Sequence, residues 1–414
     1  MAGPVKDRSV LIVGLNYAPE PVGIGPYTQG LAEALVARGG RVRVVCGKPY
    51  YPQWRVYPGH AQAGWSHDAE NGVQVTRCPH YVPANPTGLK RILHLASFAL
   101  SALGPALRAA LAKSDKPDLV IAIAPALLGT VTAWIAARLA GARLWIHVQD
   151  FEVEAALATG LMDQGRWSAR LARWVEARLL QLGDVVSTIS PQMCAKLAAK
   201  GVAEARIAEM RNWSDDRFTP DPAGAEAIRA AWNLHGKIVA LYSGNIARKQ
   251  GIEVLVEAAR LLRHRGDIAF VICGEGPNRA ELERLASGLA NVQLHDLQPA
   301  GQMGAMLTLA DLHLLPQIAG AADLVLPSKL TNMLASGRPV AATTVPGTGL
   351  HAEVEGCGVV TPPGDAQALA GAIAALADDP ERRAVLGQAA AQRAAERWRK
   401  DAIIDRALAF VAGG

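Results

Sequence analysis

Cysteine is scarce and scattered: Cys46, Cys78, Cys194, Cys273 and Cys357 are the five among 414 residues. They form no C-x-x-C pair and no local cluster with histidine. That excludes a disulfide framework and a structural zinc site, so these thiols read as small core residues. Aromatics make up 5% of the chain, fewer than a β-sandwich core wants and consistent with tightly stacked helices and strands. Charged residues are 19% against 50% apolar, which excludes a disordered or solvating chain. A net charge of +5 and a pI near 9.0 admit an anionic partner such as a sugar nucleotide or an acidic lipid surface. Spread over this length, the charge is too dilute for nucleic acid. The first apolar run, Val10 to Leu15, is too short for a signal-peptide core, and the expectation is a cytoplasmic protein.

What is present is alternation. Short β-branched runs (Ser9–Leu15, Arg41–Cys46, Val73–Cys78, Asp118–Ala122, Leu144–Val148, Val185–Ile189) are separated by Ala/Leu-rich helical stretches such as Tyr27–Ala37, Leu128–Ala140 and Ser168–Leu182. This order builds a doubly wound parallel sheet. The pattern weakens over Asn212–Gly236, where Asn, Asp, Pro and Gly gather as in a linker, and restarts with strand Lys237–Ser243. The expectation is α/β: two Rossmann-like domains, 1–214 and 215–396, facing a cleft, with a final helix, 397–414, crossing back onto the first. In that helix region Trp398, Ile403, Ile404, Leu408 and Phe410 are expected to pack on the N-terminal domain. A long apolar stretch from Lys90 through Ala112, basic at its start and interrupted by Gly104-Pro105, reads either as a buried crossover helix or as an interfacial helix resting on anionic lipid.

Two strand-to-helix turns carry chemistry. Asn16 to Gly25 ends in Gly23-Ile24-Gly25, and Ser243 to Gly251 combines glycines with Arg248 and Lys249. Backbone N–H groups freed by glycine, a helix N-terminus and cations are what a diphosphate needs. Neither loop has the G-x-G-x-x-G of a dinucleotide fold, which argues against an NAD-dependent oxidoreductase. Asp150 closes a buried strand at the end where parallel sheets place ligands, with Glu152 and Glu154 nearby. It suits an acceptor-orienting or proton-accepting role, or an N-cap. His147, within that strand, is either a core histidine or a ligand group. Tyr50, Tyr51 and Trp54 suit stacking on sugar faces or loop packing.

Seven motifs then fall in one order: N-Y-x-P-E-x-x-G-I-G, H-V-Q-D (147–150), I-S-x-x-M (189–193), N-W-x-D (212–215), S-G-N-x-x-x-K-Q-G, G-E-G-P (274–277) and P-S-K-L-x-x-M-L-A-S-G-R-P (327–339). In this order the chain resembles retaining glycosyltransferases of the GT-B fold, family four. The stretch Pro49–Arg55 is similar to enzymes of colanic-acid and exopolysaccharide synthesis. The resemblance implies a nucleotide-diphospho-sugar held by the second domain, with no metal or organic cofactor, and an acceptor held by the first. It implies Gly244, Asn245, Arg248 and Lys249 at the diphosphate and Gly274, Glu275 and Gly276 at the base, helped by Leu297 and Gln298. It places Gly23, Ile24 and Gly25 over the phosphates from the other domain, and Lys329, Leu330 and Asn332 on the signature helix. Asp150, His147 and Lys249 are the implied catalytic groups. Asn245 replaces a family arginine, and Asn332 stands where the family has its second signature glutamate. The implied reaction moves a sugar from a GDP- or UDP-linked donor, GDP-fucose among them, to a lipid-linked saccharide at the inner membrane face. A GT-B-fold sugar-nucleotide epimerase and an inactive scaffold are the rivals.

Overall fold

The computed structural model describes residues 5–21, 23–84, 88–125, 127–151, 153–154, 167–213, 219–246, 250–276, 278–318 and 329–413. The chain divides into two compact units: residues 1–211 with 403–414, and residues 212–402.

The first unit holds an eight-stranded sheet. Its strands are β1 (Ser9–Gly14), β2 (Arg41–Gly47), β3 (Ser66–Glu70), β4 (Val73–Cys78), β5 (Leu119–Ala124), β6 (Arg143–Val148), β7 (Val185–Thr188) and β8 (Ile207–Glu209). They lie in the order β3-β4-β2-β1-β5-β6-β7-β8, all parallel except β3, which runs antiparallel to β4 at one edge. Every residue of β1 and β5 is buried, as expected of strands covered on both faces. The polar edge strand β3, Ser-His-Asp-Ala-Glu, escaped the sequence reading because no apolar run marks it.

Among the described residues, the helices that connect these strands include α1 (Gly25–Ala37), α2 (Gly88–Ala110), α3 (Leu127–Ala140), α4 (Trp167–Leu180) and α5 (Pro191–Ala199). The crossovers β4-α2-β5, β5-α3-β6 and β6-α4-β7 all step the same way across the sheet. Right-handed connection therefore puts α2, α3 and α4 on one face, and α1 on the other. One core cluster confirms the shared face, joining Phe98 and Ala102 of α2, Ala133 and Ala136 of α3, and Leu180 of α4. Helix α2 runs unbroken through Gly104-Pro105, where an interruption was expected. Proline removes the N–H that would bond the Ser101 carbonyl, and the Trp65 Nε1–H donates to that carbonyl instead, at 3.1 Å.

The second unit holds a six-stranded, all-parallel sheet of β9 (Ile238–Ser243), β10 (Ile268–Cys273), β11 (Val292–His295), β12 (Leu312–Leu315), β13 (Val340–Thr343) and β14 (Gly358–Thr361), in the order β11-β10-β9-β12-β13-β14. Its helices are α6 (Pro222–Ala231), α7 (Glu253–Leu261), α8 (Arg279–Ala286), α9 (Met303–Leu309), α10 (Lys329–Ala335), α11 (Gly349–Val354), α12 (Ala366–Asp378) and α13 (Pro380–Arg397). The Asn212–Gly236 segment is not a plain linker. Asp221 accepts the Gly224 N–H at 2.9 Å, and with Pro222 at the first turn it starts α6.

The last helix, α14 (Lys400–Gly413), buries Ile403, Ile404 and Leu408. Arg38 binds Asp405 at 2.7 Å, and Arg143 donates to the Val411 carbonyl. Trp398 corrects the expectation: its indole packs with Leu330, Met333 and Leu334 in the second unit, because α13 lies against α10. Phe410 is only half-buried. The change of unit thus falls at residues 402–403 rather than at 397.

Candidate functional site

In the second unit the strand order reverses between β9 and β12, the position where open α/β sheets bind ligands beyond their C-terminal strand ends. Two glycine loops meet there. Gly244 N–H donates to the Cys273 carbonyl at 2.9 Å, and Ile246 N–H to the Glu275 carbonyl at 2.8 Å. The backbones are so close that a Cβ on Gly274 would lie 1.9 Å from the Gly244 oxygen. One on Gly276 (φ +153°) would lie 2.2 Å from the Ile246 oxygen. No side chain fits either position, so both glycines serve close backbone approach.

Lys329, at the start of α10, reaches over this junction. Its Nζ donates to Tyr242 Oη at 2.8 Å and sits 4.1 Å from that ring's centroid. It also lies 3.1 Å from the point a Gly244 Cβ would occupy. Tyr242 is fully buried, and its hydroxyl donates onward to the Asn245 carbonyl at 2.7 Å. Burial pushes the hydroxyl pKa well above its ordinary value, so the phenol stays protonated, and lowers the Lys329 ammonium to about 8. The result is a cation fixed on an aromatic and hydroxyl platform beside the half-buried Gly244 backbone. Among the described residues Tyr242 is its only hydrogen-bond partner.

Arg279 clamps the neighbouring loops. Its guanidinium donates to the Gly274 carbonyl at 2.5 Å and the His295 carbonyl at 3.0 Å, and pairs with Glu283 at 2.9 Å and Asp296 at 2.9 Å. Glu275 is exposed and lies 3.3 Å from the same arginine. Leu297 is exposed, and the Gln298 amide folds back to the Asp296 carbonyl at 2.8 Å. Leu330 is wholly buried in the core behind α10, so its part in the site is to seat the helix. Half-buried Asn332 directs its amide to Met303 Sδ at 3.5 Å. Arg248 and Lys249 lie outside the described residues, as do Glu152 and Asp215. Tyr242 and Arg279 were not singled out in the sequence. Tyr242 ends an apolar run like any core residue, and its partner Lys329 is 87 residues away.

In the first unit the corresponding reversal lies between β1 and β5. The loop after β1 is organised by Glu20, a buried carboxylate. It accepts the N–H groups of Tyr50 (2.9 Å) and Tyr51 (3.0 Å) and the Asn16 amide (2.8 Å). Burial raises its pKa, while those hydrogen bonds pull the other way. Gly23 (φ +75°) has the Tyr51 ring 3.2 Å from where a Cβ would be, and Gly25 closes on Glu20 and the Tyr17 carbonyl. Ile24 precedes α1 without a side-chain cap. Gly23 and Gly25 thus pack the loop against Tyr51 and Glu20. Tyr50 is 4% exposed and meets Trp54, His80 and His94 edge-on, so it is loop core and not a stacking surface.

His147 is also corrected. It is buried in β6, and its Nδ1 and Ser187 Oγ are 2.8 Å apart, while Gln149 Nε2 lies 3.0 Å from its Nε2. Burial lowers its pKa to about 3, so both nitrogens are spent inside the sheet in the neutral ring, and it has no catalytic access. Asp150, two residues past β6, is exposed in area yet crowded on its inner side. That crowding raises its carboxyl pKa, while the Phe151 N–H and Arg91 oppose the rise. Glu154 is committed to Lys196 (3.1 Å) and Lys200 (3.0 Å). Among the described residues Asp150 makes no ion pair, which leaves it available for chemistry.

Residues 22–213 match the family model described as glycosyl transferase 4-like domain, and residues 225–393 that of glycosyl transferases group 1. The chain is 44% identical over 336 residues to the protein assigned as the colanic acid biosynthesis glycosyl transferase WcaI of Escherichia coli (strain K12), covering 79% of this chain and 81% of that one. Among solved structures it resembles sucrose-phosphate synthase from Thermosynechococcus elongatus, with TM-score 0.70 and 20% identity over 96% of each chain. It also resembles HepE of Anabaena in complex with UDP, with TM-score 0.68 and 15% identity over 98% of this chain and 100% of that one. The two glycine-loop α/β units and these likenesses agree: the chain belongs to the GT-B-fold glycosyltransferases of family four, the family that includes WcaI.

Proposed function

We propose that this glycosyltransferase is a retaining, metal-independent enzyme of exopolysaccharide synthesis. It takes a sugar from a GDP- or UDP-linked donor, GDP-fucose among the candidates, to a hydroxyl of a lipid-linked saccharide. The observation that carries this reading is the junction of Gly244, Gly274 and Gly276 under Lys329. It offers a surface clear of side chains and one fixed ammonium where a diphosphate leaving group needs stabilisation. The ammonium neutralises charge as the glycosidic bond breaks. Arg248 and Lys249, which follow β9 in the sequence, are proposed to add cations to the same group. The acceptor hydroxyl attacks from the face the diphosphate leaves, and the departing phosphate oxygen takes its proton. Asp150 orients that hydroxyl. The WcaI likeness supports an exopolysaccharide acceptor, and the UDP bound by HepE supports a nucleotide donor.

Thermal shift against UDP-, GDP- and dTDP-sugars identifies the donor. At a hundredfold excess over Kd, binding adds about 2.7 kcal/mol, or roughly 5–11 °C. The chosen donor is then incubated with a lipid-linked acceptor, with and without chelator, and the anomeric configuration of the product is read by NMR. An inverted linkage, or loss of activity with chelator, refutes the retaining or the metal-independent part respectively. Epimerised nucleotide sugar formed without acceptor refutes the transferase reading of this site.

A further inference from the structure

Helices α2, α3 and α4 share one face of the first sheet, and their outer side exposes large apolar residues. At about 100° per residue, Leu89, Ile92, Leu93 and Leu100 of α2 fall in one stripe roughly 100° wide. All four are exposed, Leu89 at 70% and Leu100 at 74%. On the opposite side of α2, Phe98, Ala102 and Ala106 are packed in the sheet core. By length and composition α2 is apolar enough to cross a membrane, but extracting it would dismantle that core, so it lies along the protein surface.

The same arrangement recurs on α4. Trp167, Leu171 and Trp174 stand within about 60° of one another, exposed at 74%, 49% and 57%. Ala169 and Leu180 are buried on the far side. Exposed Arg178 falls within this stripe and exposed Arg170 at its edge. The charges are of one sign. α2 carries three cations, α3 one and α4 three, against a single acid, Glu176, which is 1% exposed and paired with Lys200.

Exposed apolar stripes on helices that, among the described residues, expose cations and no acid, with two indoles among them, match one kind of partner. Hydrocarbon takes the leucines, indoles prefer the interfacial zone, and a negative headgroup layer takes the arginines and lysines. We infer that the α2–α3–α4 face is a monotopic docking surface for an anionic lipid bilayer, with α4 and its tryptophans as the main anchor. This goes beyond the transferase reading and extends it, since a lipid-linked acceptor lies at such a surface.

The full-length protein is sedimented with vesicles of phosphatidylcholine, and of phosphatidylcholine mixed with phosphatidylglycerol. Binding is expected only to the mixed vesicles and to weaken as salt rises. Each interfacial cation is worth about fivefold in binding, so Arg170→Gln/Arg178→Gln together should lower partition roughly twenty-five-fold. Trp167→Ser/Trp174→Ser should lower it at least tenfold at any salt. Both variants should keep the wild-type melting temperature, because the changed side chains point away from the core. No binding to the mixed vesicles overturns the inference, as does wild-type binding by both variants. It is also overturned if light scattering shows a dimer that the tryptophan variant dissolves, which would make this face a contact between copies. The readout involves no sugar transfer, so its failure is distinct from failure of the transferase reading.

Discussion

Lys329 provides a test in which pH is the perturbation. Its Nζ rests 2.8 Å from Tyr242 Oη and 4.1 Å from the ring, and burial lowers its pKa from 10.5 to about 8. That corresponds to on the order of 3 kcal/mol by which the folded chain disfavours the charge. A diphosphate seated against the ammonium offsets this, so the bound form keeps its proton. Only the protonated fraction of free protein then binds well. With a pKa of about 8 that fraction is about 0.9 at pH 7 and 0.09 at pH 9, so the affinity for UDP or GDP should fall roughly tenfold between them. The diphosphate changes little over this range, its last ionisation, with a pKa near 6, being about nine-tenths complete at pH 7.

Calorimetry at the two pH values measures this change, and Lys329→Met, similar in shape and uncharged, is the control. It should bind weakly with little pH dependence. Without ligand the sign for stability is the reverse of a salt-bridged lysine. Between about pH 8 and 10.5 the unfolded chain binds the proton that the folded chain has released, so stability contributed by this group rises with pH through that window. Lys329→Met should lose that slope. A wild-type affinity as flat as that of the variant, or a variant with the wild-type profile, refutes the placement of Lys329 at the diphosphate.

Gly274→Ala puts a Cβ 1.9 Å from the Gly244 oxygen. It should abolish nucleotide-induced thermal shift and lower the melting temperature, while Gly301→Ala, with nothing within 4 Å, should be neutral in both. Glu20→Gln replaces an acceptor of three hydrogen bonds by a group that brings its own N–H donors into the same buried site. The expected cost is about 1–3 kcal/mol, or roughly 3–10 °C in a thermal melt, and an unchanged melt would show that the carboxylate does not hold the Tyr50–Tyr51 turn. Asp150→Asn should lower turnover at least about a hundredfold with an unchanged melting temperature. A variant that is only less stable, with normal specific activity, would return Asp150 to a structural role.

What the sequence determined by itself is whatever local pattern encodes. Continuous apolar runs such as Val10 to Val13 mark strands covered on both faces, and their alternation with Ala-rich helices dictates parallel winding. The glycines at 244, 274 and 276 are likewise legible, since they follow strands and precede helices. Capping made α6 readable in principle, through Asp221-Pro222, but loop-like composition around it obscured the signal.

Tertiary structure alone decided which residues meet. Tyr242 and Lys329 come together because β9 and β12 are neighbours in the sheet although 68 residues of chain separate the end of one from the start of the other. His147 sits in a motif and Tyr50 beside one, yet both are buried by neighbours from β7 and α2 that no local window contains. The exposed apolar side of α4 was equally hidden. Tryptophan and leucine at helical spacing read as core, and only the sheet's position on the opposite side of the helix shows that this stripe points outward. Period fixes that an amphipathic face exists, whereas packing, which depends on contacts distant in sequence, fixes which face the protein covers.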